Sequence, residues 1–479
     1  MVHRTGDRVR LRVERIDAQG VGEAWLDETP VHVEDGLVSE TGEVLLSYVG
    51  THRAYGRMLR RDEDSEYRVA PECTRWTPAS PCRLMHLEAG AQLEFKRRKV
   101  AHALFERDLR TQVRPTLAPS EPLGWRAKAT YVIAMHEGEI LLGAYRRGSH
   151  VVQSMGCCPL EEDAVSRTKM AIQQVLNASG VPAADPELAV AQDPGCGSPQ
   201  HVEGAEDLAR DARGMRAEPL VEEGARYVIV RSNHREETMA VLLGPTGVPG
   251  VDGEFLDQVK QRYPKLQGLW VGVSGEGDAL FGGPLQAVGD ARPIVEQLGD
   301  LQFEVSPRSF FQVNRASAAA LHALVAEALG NGTVVDAYCG VGTISLAAAY
   351  AGATVIGIES VAAAVHDAQK NAERNGLAER ARFLCSDVAL GLRQLHREGT
   401  RPDAIVLNPP RRGCAADALS AACSLGPETI VYVSCSPNSL AIDLRRLKER
   451  GYHIKRVQPV DLFPHSEHVE TIAVLGPST

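Results

Sequence analysis

The chain has 479 residues, 44% of them apolar and 24% charged, with a formal net charge of -10. That length holds two or three domains with ample core, and the composition excludes a disordered or collagen-like chain. No apolar run approaches the eighteen or so residues of a membrane-spanning helix, ten cysteines without regular spacing argue against a disulfide framework, and the opening MVHRTGDRVR lacks the apolar core of a signal peptide, so a cytoplasmic protein with no membrane partner is expected.

Residues 6–60 alternate apolar and polar in short runs (RVRLRVERI, TPVHV, GEVLLSYV) broken by Gly20, Gly22, Gly36 and Gly50, which predicts a small antiparallel barrel occupying a first domain of residues 1–62. Such barrels often present a face to oligonucleotides, although the fold alone does not make a binder. Residues 63–305 read as a central α+β domain: a loop carrying Cys73 and Cys82, a helix from Glu94 to about Leu109, strand-like runs such as KATYVIAM and ARYVIVRS, and a helix near Glu161 to Ala178. Between Val181 and Ala225 ten acidic residues face three arginines, which marks an acidic insertion at about 181–225. Basic groups gather at Arg53, Arg57, Arg60 and Arg61, at Lys96 to Lys99, and at Arg126, Lys128, Arg146 and Arg147. Local patches, not the total charge, decide whether phosphate is attracted, though any single cluster is more often a solvated face.

A third domain spans residues 306–479, and from about Ser317 onward its pattern becomes regular. Strands TVVDAY, TVIGIE, ARFLCSD, DAIVLN and TIVYVSC alternate with helices, and two more strands follow. Alternation of this kind means a parallel sheet covered on both faces, a Rossmann-like α/β domain whose ligands sit at the carboxyl ends of the strands.

The segment Asp336 to Thr343 places Gly340 and Gly342 in a turn where backbone must approach a ligand closely. Glu359 ends the next strand, where a carboxylate can accept both ribose hydroxyls, and Asp387 ends the third, within reach of an adenine amino group. The turn lacks a P-loop lysine and GxGxxG spacing, which argues against nucleoside triphosphates and dinucleotides. S-adenosylmethionine, with an adenosine but no phosphate, fits better, and Asp336 suits its charged amino-acid end.

Cys435, closing TIVYVSC, lies at the same strand edge. An isolated cysteine on an apolar strand is usually an inert core residue, but this position suggests chemistry. Carbon 5 of a uracil is too weakly nucleophilic to attack a methyl sulfonium unaided. A thiolate adding to carbon 6 raises its electron density through an enolate-like adduct, and a base must later remove the proton on carbon 5. Glu470, in FPHSEHVET, is the candidate base. In LNPPRRG, Asn408 can donate and accept toward a base edge or cofactor, and Arg411 or Arg412 can contact base or phosphate.

Six ordered motifs, the barrel at 6–60, SPRSFFQVN at 306–314, DAYCGVGT at 336–343, NPPRRG at 408–413, VSCSPNSLAID at 433–443 and FPHSEHVE at 463–470, together resemble the RNA uracil-5-methyltransferase family, specifically the 23S ribosomal RNA type with an N-terminal TRAM barrel. The resemblance implies S-adenosylmethionine held by Gln312, Tyr338, Glu359 and Asp387, Cys435 as nucleophile and Glu470 as base. Gly340, Gly342, Thr343 and Asn408 are expected on the cofactor side and Phe310 and Arg411 on the RNA side, in an enzyme expected to act as a monomer. Asn408 stands where the family usually has Asp, and NPP also looks like the acceptor-binding motif of amino-group methyltransferases. An exocyclic nitrogen as methyl acceptor is therefore one alternative, transfer RNA as substrate a second, and a noncatalytic RNA-binding relative a third. Many ribosomal-type members also bind a [4Fe-4S] cluster through four cysteines. By that pattern Cys73, Cys82 and Cys158 are candidate ligands, Ala79 occupies the remaining place, and Cys157 is the neighbouring thiol.

Overall fold

The computed structural model describes residues 3–146, 149–185, 188, 190, 223–276 and 279–478. Most of the acidic insertion, and Arg147, lie outside these. Strands β1 (Arg8–Ile16), β2 (Gly22–Leu26), β3 (Thr29–Glu34), β4 (Thr41–Val49) and β5 (Ala54–Glu63) close a barrel in the order β1-β2-β3-β5-β4. Period-two alternation sends Leu11, Val13, Val31, Val33, Val44 and Leu46 inward and the intervening charged residues to solvent. The pairing is antiparallel except where β3 meets β5, which run parallel.

The central region begins with helix α1 (Ala89–Phe105) and continues through β6 (Lys128–His136), β7 (Glu139–Tyr145), β8 (Val152–Ser154), α2 (Asp163–Ser179), β9 (Tyr227–Ser232), β10 (Thr238–Gly244), α3 (Gly253–Arg262), β11 (Leu266–Ser274) and β12 (Phe281–Val288). The strands form one mixed seven-stranded sheet, and Val165, Ile172 and Val175 of α2 and Phe255 and Val259 of α3 join its core. Helix α1 starts five residues before the position that sequence predicts, because the Glu88 carboxylate caps it by accepting from Ala91 N at 2.9 Å.

A hairpin, β13 (Ile294–Leu298) and β14 (Leu301–Val305), leads into α4 (Arg315–Leu329), β15 (Thr333–Ala337), α5 (Thr343–Tyr350), β16 (Thr354–Glu359), α6 (Ala362–Arg374), β17 (Ala381–Cys385), α7 (Val388–Arg397), β18 (Ala404–Leu407), α8 (Ala416–Ser424), β19 (Thr429–Ser434), α9 (Pro437–Lys448), β20 (Tyr452–Val460) and β21 (Glu470–Pro477). The hairpin is tied to α6 and its C-cap: Glu304 N donates to Asn371 Oδ1 at 2.8 Å and Gln302 N to Asn375 Oδ1 at 2.9 Å. The sheet order is β17-β16-β15-β18-β19-β21-β20. Its first five strands are parallel, and the central β15, β18 and β19 are buried on both faces, as their near-continuous apolar runs require, while edge strand β17 exposes Arg382. One strand, β21, departs from the all-parallel expectation. No helix separates β20 from β21, so β21 returns antiparallel between β19 and β20, and its first residue, not its last, reaches the edge where the parallel strands end.

Candidate active site

The turn after β15 is built on backbone that few side chains tolerate. Tyr338, Gly340 and Gly342 have φ of +69°, +55° and +85°, and a Cβ at Gly342 would press on Ala368 and Phe383 at 3.3 Å. Tyr338 N and Cys339 N both donate to Ile358 O at the end of β16, and Gly340 N donates to Glu359 Oε2 at 3.2 Å. Glu359 Oε1 accepts from Val361 N, and Ser386 N donates to Glu359 O, so the ends of β15, β16 and β17 are bonded into one rim. Asp387 lies two residues beyond β17 rather than at its last residue. It is exposed and caps α7, its Oδ1 accepting from Ala389 N and Leu390 N.

Asp336 is 1% exposed, with Oδ2 accepting from Ser345 Oγ at 2.5 Å and Oδ1 without a partner. Burial pushes its pKa up to about 7 against the bond from Ser345, and nearby Glu359 adds to the rise. A buried carboxylate with an unused oxygen is suited to a cation such as an ammonium. Segment 306–314 is fixed beside this rim because Ser306 and Ser309 both donate to the Asp367 carboxylate on α6 (3.1 and 2.6 Å). Phe311 packs in the same core cluster as Cys339 and Val341, which leaves Gln312 half-buried and Phe310 76% exposed.

Asn408 follows β18 and its N–H reaches Ala337 O at 3.3 Å. Because β18 lies between β15 and β19, Asn408 stands between the glycine turn and Cys435. The loop after it is anchored by buried Asp443, whose Oδ2 accepts from Cys414 N (2.7 Å) and from Tyr432 Oη (2.6 Å). The exposed Arg411 guanidinium approaches both Cys435 and Glu470 closely enough to lower the pKa of each.

Cys435 is half-buried in the turn between β19 and α9, where Ser434 and Ser436 bond to one another and Pro437 opens the helix. The helix N-terminus favours a thiolate, but burial and the neighbouring Glu470 carboxylate together raise the thiol pKa, with Arg411 opposing. The register pairs Ser434 with Thr471, so Glu470 lies on β21 across from Cys435. It is 4% exposed, and burial lifts its pKa to about 8 despite Arg411.

A cleft of about 970 Å³ opens on Cys435 and Arg411 and is walled by Glu467 and His468, by Phe95, Arg98 and Lys99 of α1, and by Arg15 and Asp17 of the barrel. Gly340 and Glu359 are not among its lining residues. The arrangement can present a thiol to a planar ring entering from the barrel side, next to a carboxylic acid and a guanidinium.

Several basic groups expected to attract phosphate bond to the protein instead. Arg60 pairs with Asp62, Arg61 with Asp35 and Asp64, and Arg97 and Arg98 with Glu94. Lys96 is fully buried against Asp461. Sequence reading missed Glu467 and His468 as cleft residues, although both stand within FPHSEHVE.

Cys73, Cys82, Cys157 and Cys158 line one small cavity of about 60 Å³, where burial raises the Cys82 thiol to about 12. Ala79 leaves the expected cage a thiol short, Cys157 is exposed, and among the described residues no three His, Cys, Asp or Glu side chains are grouped to hold a metal ion. The residues present therefore do not fit a four-thiolate [4Fe-4S] site. Anaerobically purified protein is expected to contain far less than four iron per chain and to lack broad visible absorbance; four iron per chain would make Cys157 the fourth ligand.

Residues 294–476 match the family model described as tRNA (uracil-5-)-methyltransferase. An uncharacterized RNA methyltransferase of Geobacter sulfurreducens is 33% identical over 98% of this chain and 90% of its own length. One from Oceanobacillus iheyensis is 30% identical over 97% and 95% respectively. The crystal structure of Pyrococcus abyssi tRNA (uracil-54, C5)-methyltransferase in complex with S-adenosyl-L-homocysteine superposes with a TM-score of 0.72 at 22% identity, covering 98% of this chain and all of that one.

Proposed function

The chain belongs to the RNA uracil-5-methyltransferase family, S-adenosylmethionine-dependent enzymes, and from that premise we propose that it methylates carbon 5 of a uridine through a covalent adduct to Cys435. The observation that carries the reading is the pairing of Cys435 with Glu470 at one sheet edge, with Cys435 lining the cleft, Glu470 buried behind it, and Asn408 standing between Cys435 and the glycine turn. In the proposed sequence the Cys435 thiolate adds to carbon 6 and the electron pair moves to an enolate across carbons 4 and 5. Carbon 5 then takes the methyl group, and S-adenosylhomocysteine leaves as a neutral thioether. The Glu470 carboxylate removes the proton from carbon 5, and the sulfur–carbon bond breaks as the ring double bond returns. Arg411, beside both groups, favours thiolate and carboxylate and is suited to a uracil oxygen or a phosphate.

S-adenosylmethionine is assigned to the rim made by Asp336, Tyr338, Gly340, Gly342, Thr343, Glu359 and Asp387, with Gln312 and Asn408 beside it. The unpartnered Asp336 oxygen suits the cofactor's ammonium, which leads to a test independent of RNA. Because Asp336 holds its proton up to about pH 7, a cation binding there must expel it at lower pH. S-adenosylmethionine affinity is expected to fall by up to about tenfold per pH unit below 7 and to level off above 8, with proton release in calorimetry; Asp336→Asn is expected to weaken binding and flatten the profile. A parent profile flat from pH 5.5 to 8.5 counts against the assignment.

From the sequence, the barrel together with the basic helix at Lys96 to Lys99 favours ribosomal over transfer RNA. The archaeal transfer-RNA enzyme superposes over 98% of this chain, so the overall architecture does not separate the two. 23S ribosomal RNA and transfer RNA are both substrates to test, by mapping 5-methyluridine in each from cells with and without the protein. Methylation of an exocyclic amine needs neither Cys435 nor Glu470 and is the weaker reading.

A further inference from the structure

Helix α1 belongs to the central region, yet one of its faces holds the loop that ends in Glu470. Gln92, Lys96 and Lys99 follow the i, i+4, i+7 spacing that puts side chains on one stripe of a helix, and all three bond to residues 461–467. Lys96 Nζ donates to Asp461 Oδ1 at 2.6 Å and to Phe463 O at 2.9 Å. The two side chains of that ion pair are 0% and 5% exposed. Gln92 Oε1 accepts from His465 N at 3.1 Å, and Lys99 Nζ donates to Glu467 O at 2.8 Å. Asp461 Oδ1 also accepts from Phe463 N at 2.9 Å, so one carboxylate orders the start of the loop from two sides.

The loop needs such support. His465 has φ of +66°, a left-handed conformation costly for a side chain with a Cβ, and its backbone is held on both sides, its N–H by Gln92 and its C=O by Leu84 N at 2.9 Å. Burying an ammonium is expensive and burial lowers the Lys96 pKa, with Asp461 opposing. Removing one partner of such a buried pair leaves the other charge and the Phe463 carbonyl without their bonds, so the path of the loop depends on it.

We propose that Lys96, supported by Gln92 and Lys99, is a positioning residue for Glu470: through Asp461 and Phe463 it sets the path of residues 461–469 and so the distance from the Glu470 carboxylate to the carbon 5 proton. The proposal rests on the reading of Glu470 as the base. Removing the ammonium releases the loop, and a base displaced by about 1 Å loses on the order of a hundredfold in its step. Attack by Cys435 and methyl transfer, which do not use Glu470, are largely spared.

The test compares the parent with Lys96→Met, Gln92→Leu and Glu470→Gln on two RNAs. With 5-fluorouridine RNA no carbon 5 proton exists, so adduct formation reports attack and methyl transfer alone. With uridine RNA, turnover and the fraction of methylated RNA trapped on protein report the base step. Lys96→Met is expected to form the fluorinated adduct within about threefold of the parent rate. On uridine RNA its kcat is expected to be about 10- to 100-fold lower, with KM lowered alongside so that kcat/KM is little changed, and a methylated adduct is expected to accumulate. Equal losses on both RNAs, or no trapped adduct while Glu470→Gln traps one, overturn the proposal but leave Glu470 as base. If Glu470→Gln traps nothing, the base lies elsewhere and the Lys96 assignment falls with it. Should Lys96→Met fail to fold, Gln92→Leu, which keeps the ion pair, decides: a several-fold rise in trapped adduct supports the clamp, and parent behaviour overturns it.

Discussion

Cys435→Ser protein is expected to bind S-adenosylmethionine and RNA as the parent does, to form no covalent link with 5-fluorouridine RNA, and to lose turnover by on the order of 10⁴-fold or more. The hydroxyl is nearly isosteric at the half-buried turn between β19 and α9, where the neighbouring bonds of Ser434 and Ser436 remain, so fold and binding are retained. Reactivity is not, because an alcohol held in a site that already raises the pKa of a thiol has almost no alkoxide near neutral pH. Without addition at carbon 6 the ring has no enolate, and carbon 5 cannot displace the sulfonium. The measurement is denaturing gel electrophoresis of protein with labelled RNA, beside methyl incorporation. A Cys435→Ser enzyme that methylates within tenfold of the parent would falsify the covalent mechanism and return weight to the amine-methylating alternative.

Glu470→Gln is expected to do the reverse: the adduct forms, the methyl group is transferred, and the RNA stays attached. Loss of a positioned base commonly costs about 10²- to 10⁴-fold, and here that cost falls on the last step, so the trapped species carries a methyl. The amide keeps the size of the 4% exposed side chain and removes only its ability to take the proton. The same group sets a pH dependence. Its pKa is raised to about 8 by burial, so at pH 6 to 7 the free enzyme holds the acid form, which cannot accept a proton. Release of the methylated adduct is therefore expected to quicken by up to about tenfold per pH unit to pH 8 and then to flatten, while Glu470→Gln shows no such rise. Normal turnover by Glu470→Gln would place the base elsewhere.

Much of this site is legible in local pattern. The glycine turn after TVVDAY, the acid closing TVIGIE and the cysteine closing TIVYVSC each follow from where a strand stops, and a parallel sheet gathers strand ends at one edge whatever the packing details. Asp387 was legible as an acceptor near the third strand, although it sits two residues past β17 as a helix cap. Charge was read less well. The run Lys96 to Lys99 looks like a phosphate-binding face, but the structure buries Lys96 on Asp461 and turns Arg97 and Arg98 to Glu94. Cationic side chains signal the same in sequence whether they meet solvent, RNA or a carboxylate hundreds of residues away.

By itself the amino-acid sequence determined the barrel, the alternating α/β domain, the glycine turn after TVVDAY and the place of Cys435 at a strand end, because each depends on propensities and periodicities spanning a few turns of chain. Only the tertiary structure decided that β21 runs antiparallel and so brings Glu470 opposite Cys435, that α1 grips the loop before it, and that Cys73, Cys82, Cys157 and Cys158 line one cavity. Those outcomes rest on contacts between residues far apart in the chain, where burial and hydrogen bonding across the assembled core, rather than any local preference, select the partner.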